Sequence, residues 1–228
     1  MAFNKRIALI GLLFCYHLTA AAENISLNAI DSGVFDWATF DGSPGSNNHT
    51  KGLDEQTIGF SINLPPTFIS GSEGYVIYDL SGLNANVLSA DIEFSVSGSG
   101  NSQFYQGRVD VDTINPLQLN NLQSAPTGTL GDPQFSDLLS VFNSGDSAGS
   151  TDVFFIGNGE YNASMNNDAL SLINSSLGLV GFRTTFYGND AGPPMGLPRV
   201  DYNNVPRLIL NTEIADTDGD GVDDPVDN

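Results

Sequence analysis

The chain has 228 residues, 40% of them hydrophobic and only 15% charged, which is enough apolar material for a sizeable core and too little charge for a disordered solvating tail. Its 27 acidic side chains against 7 Lys and Arg give a formal net charge of −20, which argues against nucleic-acid phosphate and anionic lipid surfaces as natural partners. One large domain with a short appendage fits this length.

Residues 1–22 read as a signal peptide. Lys5 and Arg6 precede an apolar run from Ile7 to Leu18, and Ala20-Ala21-Ala22 supplies small residues for cleavage before Glu23. The run is shorter than the roughly 20 residues that span a bilayer, and no later stretch approaches that length. The mature chain is therefore expected to be exported, without a membrane span, and secreted or held at a cell surface. Removal of the peptide takes Lys5, Arg6, Cys15 and His17 with it, leaving 5 basic against 27 acidic side chains, net −22, and no cysteine for a disulfide. His49 becomes the one remaining histidine, which argues against a His-rich zinc site and a Ser-His-Asp triad.

Period-two alternation then recurs along the chain. Ile25–Ile30 is a first strand candidate. Phe35 and Trp37 share alternation parity, which predicts a core role for Trp37, with a sugar-stacking platform as the alternative. His49 lies in DGSPGSNNHTKG, a string of turn formers that predicts a solvated loop histidine. In Thr57–Leu64, Ile58, Phe60, Ile62 and Leu64 share one face. Tyr75–Leu80 follows. Asp91–Ser97 alternates with Ile92, Phe94 and Val96, and Arg108–Asp112 with Val109 and Val111. Val153–Ile156, Leu179–Tyr187 and Arg207–Leu210 are more continuously apolar and predict more fully buried strands.

Two short helices interrupt this pattern. Asp132-Pro133 offers a cap and a first-turn proline ahead of Phe135, Leu138, Leu139 and Phe142, and a second helix runs from Asn167 through Leu170 and Ile173. Their apolar stripes predict that both fold down to plug the sandwich. The polar stretches Asp41–Gln56, Asn115–Gly131 and Gly188–Pro206 are expected as long loops, the third offering Arg199, Asp201 and Tyr202 as a polar and aromatic surface. With about eight strands and no βαβ rhythm, the expected fold is all-β, an antiparallel sandwich over residues 23–212.

Four pieces carry a family resemblance: Tyr75-Val-Ile-Tyr-Asp-Leu-Ser-Gly-Leu83, Val87-Leu-Ser-Ala-Asp-Ile-Glu-Phe94, Leu179-Val-Gly-Phe-Arg183 and the closing Pro206-Arg-Leu-Ile-Leu210. Over residues 24–212 the chain resembles the DNRLRE, or disaggregatase-related, domains of exported bacterial proteins. There an FDLS strand precedes an SAxLxL strand and a PrLvv strand closes the domain. The chain departs from that pattern in lacking a tryptophan-containing middle and in its insertion before Pro206. The resemblance implies a jelly-roll fold and a binding or adhesion role but does not name the ligand; polysaccharide or cell-surface glycan is the first partner to expect. A glycan-cleaving enzyme working through a carboxylate pair is the alternative. None of Glu23, Glu55, Glu73, Glu93, Glu160 and Glu213 falls in a recognisable catalytic pattern; Glu93 reads as an outward strand residue and Glu73 as a turn residue.

Residues 213–228 carry a different chemistry. With Asp216 as position 1, carboxylates stand at 1, 3, 5, 9 and 12 (Asp216, Asp218, Asp220, Asp224, Asp227), with Gly221 at position 6. This spacing lets a tight loop wrap oxygen ligands around a hard cation; Val222 would offer its carbonyl and Asp224 would ligate through water. Calcium fits such a many-oxygen arrangement better than magnesium. The segment resembles a thrombospondin type 3 repeat, D-x-D-x-D-G-x-x-D-x-x-D-N, without the cysteine that usually follows. Its six aspartates repel one another until a cation is bound.

Overall fold

A computed structural model of the chain describes residues 22–40, 43–52, 56–63, 68–97, 105–155, 159–176, 178–188, 199–202 and 206–213. They form thirteen strands: β1 (Ala22–Asn28), β2 (Asp31–Phe40), β3 (Ser43–Lys51), β4 (Gln56–Asn63), β5 (Phe68–Asp79), β6 (Val87–Ser97), β7 (Tyr105–Ile114), β8 (Gly128–Thr129), β9 (Ser147–Phe155), β10 (Gly159–Met165), β11 (Leu179–Gly188), β12 (Arg199–Tyr202) and β13 (Arg207–Glu213). Three helices join them, α1 (Leu119–Gln123), α2 (Asp132–Phe142) and α3 (Asn167–Ser175). None is long and apolar enough to cross a membrane.

Every strand pairing is antiparallel, and the order defines two layers. The hydrogen-bonded path is continuous, with β10 pairing β9 through Ser164–Ser150 and Met165–Gly149, and it folds over there into one layer β1-β13-β6-β10 and another β9-β7-β11-β5. Numbering those eight strands by their order in the chain gives 1-8-3-6 facing 5-4-7-2, the order produced by rolling up a long antiparallel hairpin. The fold is therefore an all-β jelly-roll sandwich. β2, β3 and β8 extend the second layer beyond β5, and β12 pairs with both β4 and β6, so hydrogen bonds also link the layers at one end.

The core between the layers follows the alternation. Ile92 and Phe94 of β6, Val109 and Val111 of β7, Val180 and Phe182 of β11, and Leu208 and Leu210 of β13 all face inward and are at most 1% exposed. The hydroxyl of Tyr78 donates to the Pro206 carbonyl at 2.9 Å, so this buried aromatic brings no unsatisfied polar atom into the core. α3 closes the core as its apolar stripe predicts, burying Ala169 and Ile173. Asn166 caps it by accepting from Ala169 N–H at 3.0 Å, and Asn174 ties it to β6 by accepting from Val87 N–H and donating to Val87 O.

α2 behaves differently from the plug expected of it. The segment from Asn115 to Asp146 leaves β7, carries α1, β8 and α2, and lies on the outer face of the second layer, away from the sandwich interior. Leu119, Leu122, Leu138, Val141 and Phe142 of this insertion bury Phe35, Tyr75, Ile77 and Ile114 in a second apolar cluster. β5 is the wall common to both cores, which is why Tyr75 through Tyr78 are all 0% exposed.

Candidate functional site on the outer sheet face

The insertion covers only part of the outer face. Three side chains reach it by way of glycines: Tyr75 lies over Gly33, Leu119 over Gly181 and Trp37 over Gly71. A β-carbon at Gly71 would stand 2.6 Å from the indole, so only glycine lets the ring approach the strand this closely. Phe35 and Trp37 share a face as their parity predicts, but their environments diverge. Phe35 is 4% exposed in the second cluster, while Trp37 is half-buried and belongs to neither core.

Beside Trp37 the outer face is polar. Glu73 comes from β5, Arg183 and Thr185 from β11, Arg108, Asp110 and Asp112 from β7, and Ser150 and Asp152 from β9. Register pairs Asp112 with Arg183, Asp110 with both Thr185 and Ser150, and Arg108 with Asp152. With strands about 4.8 Å apart, the row from β2 to β9 crosses five strands and extends on the order of 19 Å. Arg183 is its hub: Nε lies 3.0 Å from Glu73 Oε2 and donates to Thr185 Oγ1 at 3.1 Å, Nη1 donates to Asn143 Oδ1 at 2.7 Å, and Asp112 Oδ2 is 3.9 Å away. The contact with Glu73 Oε2 is electrostatic and poorly aligned for a hydrogen bond; the aligned bond goes from Nη2 to Oε1 at 3.3 Å. Burial pushes the Glu73 carboxyl above its ordinary value, Arg183 opposes the rise and the charge of Asp112 adds to it. Asp112 is raised by burial as well, again opposed by Arg183, with Asp110 adding to the rise.

Glu73 is thus a half-buried strand residue rather than part of a turn, because β5 starts at Phe68, ahead of the apolar run. Glu93 does face outward on β6, paired with Arg207 of β13.

His49 also departs from expectation. It lies in β3, a strand made of turn-forming residues, and is 0% exposed. Its ring stacks on Phe35 with centroids 4.4 Å apart and planes 10° from parallel. The Pro126 carbonyl, 2.7 Å from Nδ1, can only accept, so Nδ1 carries the proton and Nε2 accepts from the Tyr75 hydroxyl at 3.2 Å. Burial holds the imidazole below its ordinary value, partly offset by the bond to Pro126; Lys51 adds to the lowering and Asp31 opposes it. His49 joins the insertion to the sheet, together with the Lys51 ammonium bound to the Gln123 carbonyl and the β3–β8 pairing.

The expected calcium ligands Asp216, Asp218, Asp220, Val222, Asp224 and Asp227 lie outside the described residues, as do residues 1–21 of the expected signal peptide and most of the stretch before Pro206. Among the described residues, no group of three or more His, Cys, Asp or Glu side chains is placed to hold a metal ion. No protein-family model matches the chain, and no curated protein matches it.

Proposed function

We propose that this is an exported, non-catalytic binding or adhesion module that holds polysaccharide or cell-surface glycan on the outer face of the second layer and calcium in its C-terminal aspartate loop. The observation that carries the glycan reading is Trp37: a half-buried indole packed against Gly71 at one end of a row of hydrogen-bonding side chains. Sugar rings offer an apolar C–H face to an aromatic plane and a rim of hydroxyls to carboxylates, guanidinium groups and amides. The Glu73, Arg183 and Asn143 network holds such groups in fixed positions before a ligand arrives. The calcium reading is supported by the carboxylate spacing from Asp216 to Asp227.

Affinity electrophoresis on a panel of neutral polysaccharides tests the glycan reading, with retardation by at least one polymer as the expected result. Calorimetric titration of the full chain with calcium tests the loop, and heat that Asp218→Asn and Asp220→Asn abolish is the expected result.

The raised carboxyls of Glu73 and Asp112 on either side of Arg183 favour a second reading, a glycan-cleaving enzyme that uses a carboxylate pair. Release of reducing ends from a bound polysaccharide, lost in Glu73→Gln, would establish that reading over the first.

A further inference from the structure

We propose that the cleft between α1 and α2 is a second ligand site, built for a neutral sugar or cyclitol of one or two rings. The cleft is open to solvent on one side and offers about 500 Å³, within the size range of small-molecule sites. It opens on the solvent side of the insertion, with the aromatic cluster of Phe35, His49 and Tyr75 beneath.

The lining decides the ligand class. Gln118 and Asn121 stand on the α1 side, and Gln134, Asp137 and Ser140 on α2. The Asp137 carboxylate and the Ser140 hydroxyl have no hydrogen-bond partner among the described residues. Asn121 Nδ2 donates to Gln118 Oε1 at 2.8 Å, and the Asn121 side-chain oxygen and the Gln118 amide group remain available to a guest. The floor is apolar, from Ala125, Leu138 and Val141.

Amides, a hydroxyl and one carboxylate above an apolar floor match a molecule dense in hydroxyl groups with one C–H face. The lining has no cation, and Asp137 together with the acidic chain repels anions. It also has no aromatic ring on which a nucleobase could stack. A purely apolar guest would leave the rim amides without partners. This site does not depend on the Trp37 face, and the two can be separated.

The test is an NMR titration of the whole protein with methyl glycosides of glucose, galactose, mannose and N-acetylglucosamine, and with glucuronate as the anionic probe. At least one neutral glycoside is expected to shift the amide signals of residues 118–126 and 134–141, while glucuronate leaves them unmoved. The shifts should persist in Trp37→Ala. Affinity should fall at least about tenfold in the Asn121→Ala/Gln134→Ala pair, and likewise in Ser140→Trp, which fills the cleft from an exposed position. The proposal is overturned if no neutral glycoside moves these signals, if glucuronate moves them equally, if the shifts survive Ser140→Trp, or if they vanish in Trp37→Ala.

Discussion

The core between the layers and the core beneath the insertion share β5 as a wall, with Val76 and Tyr78 on one side and Tyr75 and Ile77 on the other, yet different chemistry holds each together. Between the layers, aliphatic and aromatic side chains from β5, β6, β7, β11 and β13 interlock, and α3 closes one end. Beneath the insertion the same kind of apolar contact is joined by polar links: His49 to Pro126, Lys51 to Gln123, and Leu130 N–H to Asn47 O at 2.9 Å. The aromatic packing there is also angled, with Phe142 edge-on to Phe35 at 4.4 Å and to Tyr75 at 5.7 Å. The first core therefore makes the fold, and the second fastens a cover to a finished sheet and sets where that cover stops. The cover reaches the Arg183 network through Asn143, while Trp37 belongs to neither apolar cluster.

Phe182→Ala is the largest break in this comparison. It empties the inter-layer core of a 0% exposed ring and is expected to cost about 3–5 kcal/mol in urea unfolding, with loss of protection throughout both layers. Leu138→Ala acts on the cover and is expected to cost about 2–3 kcal/mol, with faster hydrogen exchange concentrated in residues 115–146. Equal loss of protection in β6 and β13 would show the two cores to be one cooperative unit.

Arg183→Gln tests the polar row. It leaves Glu73 and Asp112 half-buried without their shared cation and is expected to cost about 1–3 kcal/mol, part of which Glu73→Gln restores in the double variant.

The smallest effect is the pH dependence from His49. Its folded pKa lies below the unfolded value of about 6.5, so the unfolded chain takes up the proton first. That contribution is full above about pH 6.5 and is lost as pH falls toward the folded value. Glu73 and Asp112 have the opposite sign, since their raised folded values make the native state take up protons first and gain stability as pH falls through them. Thermal melts from about pH 7.5 to about pH 5.5 should therefore show a decline in Tm that His49→Gln flattens; an unchanged slope in the variant would remove His49 from the account.

These differences also explain what could be read in advance. Ile92, Phe94, Val109, Val111 and Leu208 alternate cleanly because one face of each strand meets the inter-layer core and the other meets water or polar groups, which is the condition under which period two is written into a sequence. α2 and α3 were legible from their stripes, but the surface each one covers was not, since amphipathicity states only that a partner exists. β3 was illegible: Ser43–Lys51 has no apolar alternation, and its strand form comes from pairing with β2 and from the capture of His49 by residues 26 and 77 positions away, Tyr75 and Pro126. Glu73 was missed for a related reason, because its role depends on Arg183 across a strand pair 110 residues apart. Trp37 stood between two readings, and parity alone could not separate them. What separates it from Phe35 is membership of the apolar cluster beneath the insertion, a tertiary relation with no local signal.

The central claim is the proposal that the outer sheet face around Trp37 binds glycan. The most direct measurement is calorimetric titration of the wild-type chain and Trp37→Ala with whichever neutral polysaccharide retards the wild type. The account predicts at least about a tenfold loss of affinity in a variant whose melting temperature and circular dichroism are retained. Undiminished affinity in that variant would contradict it.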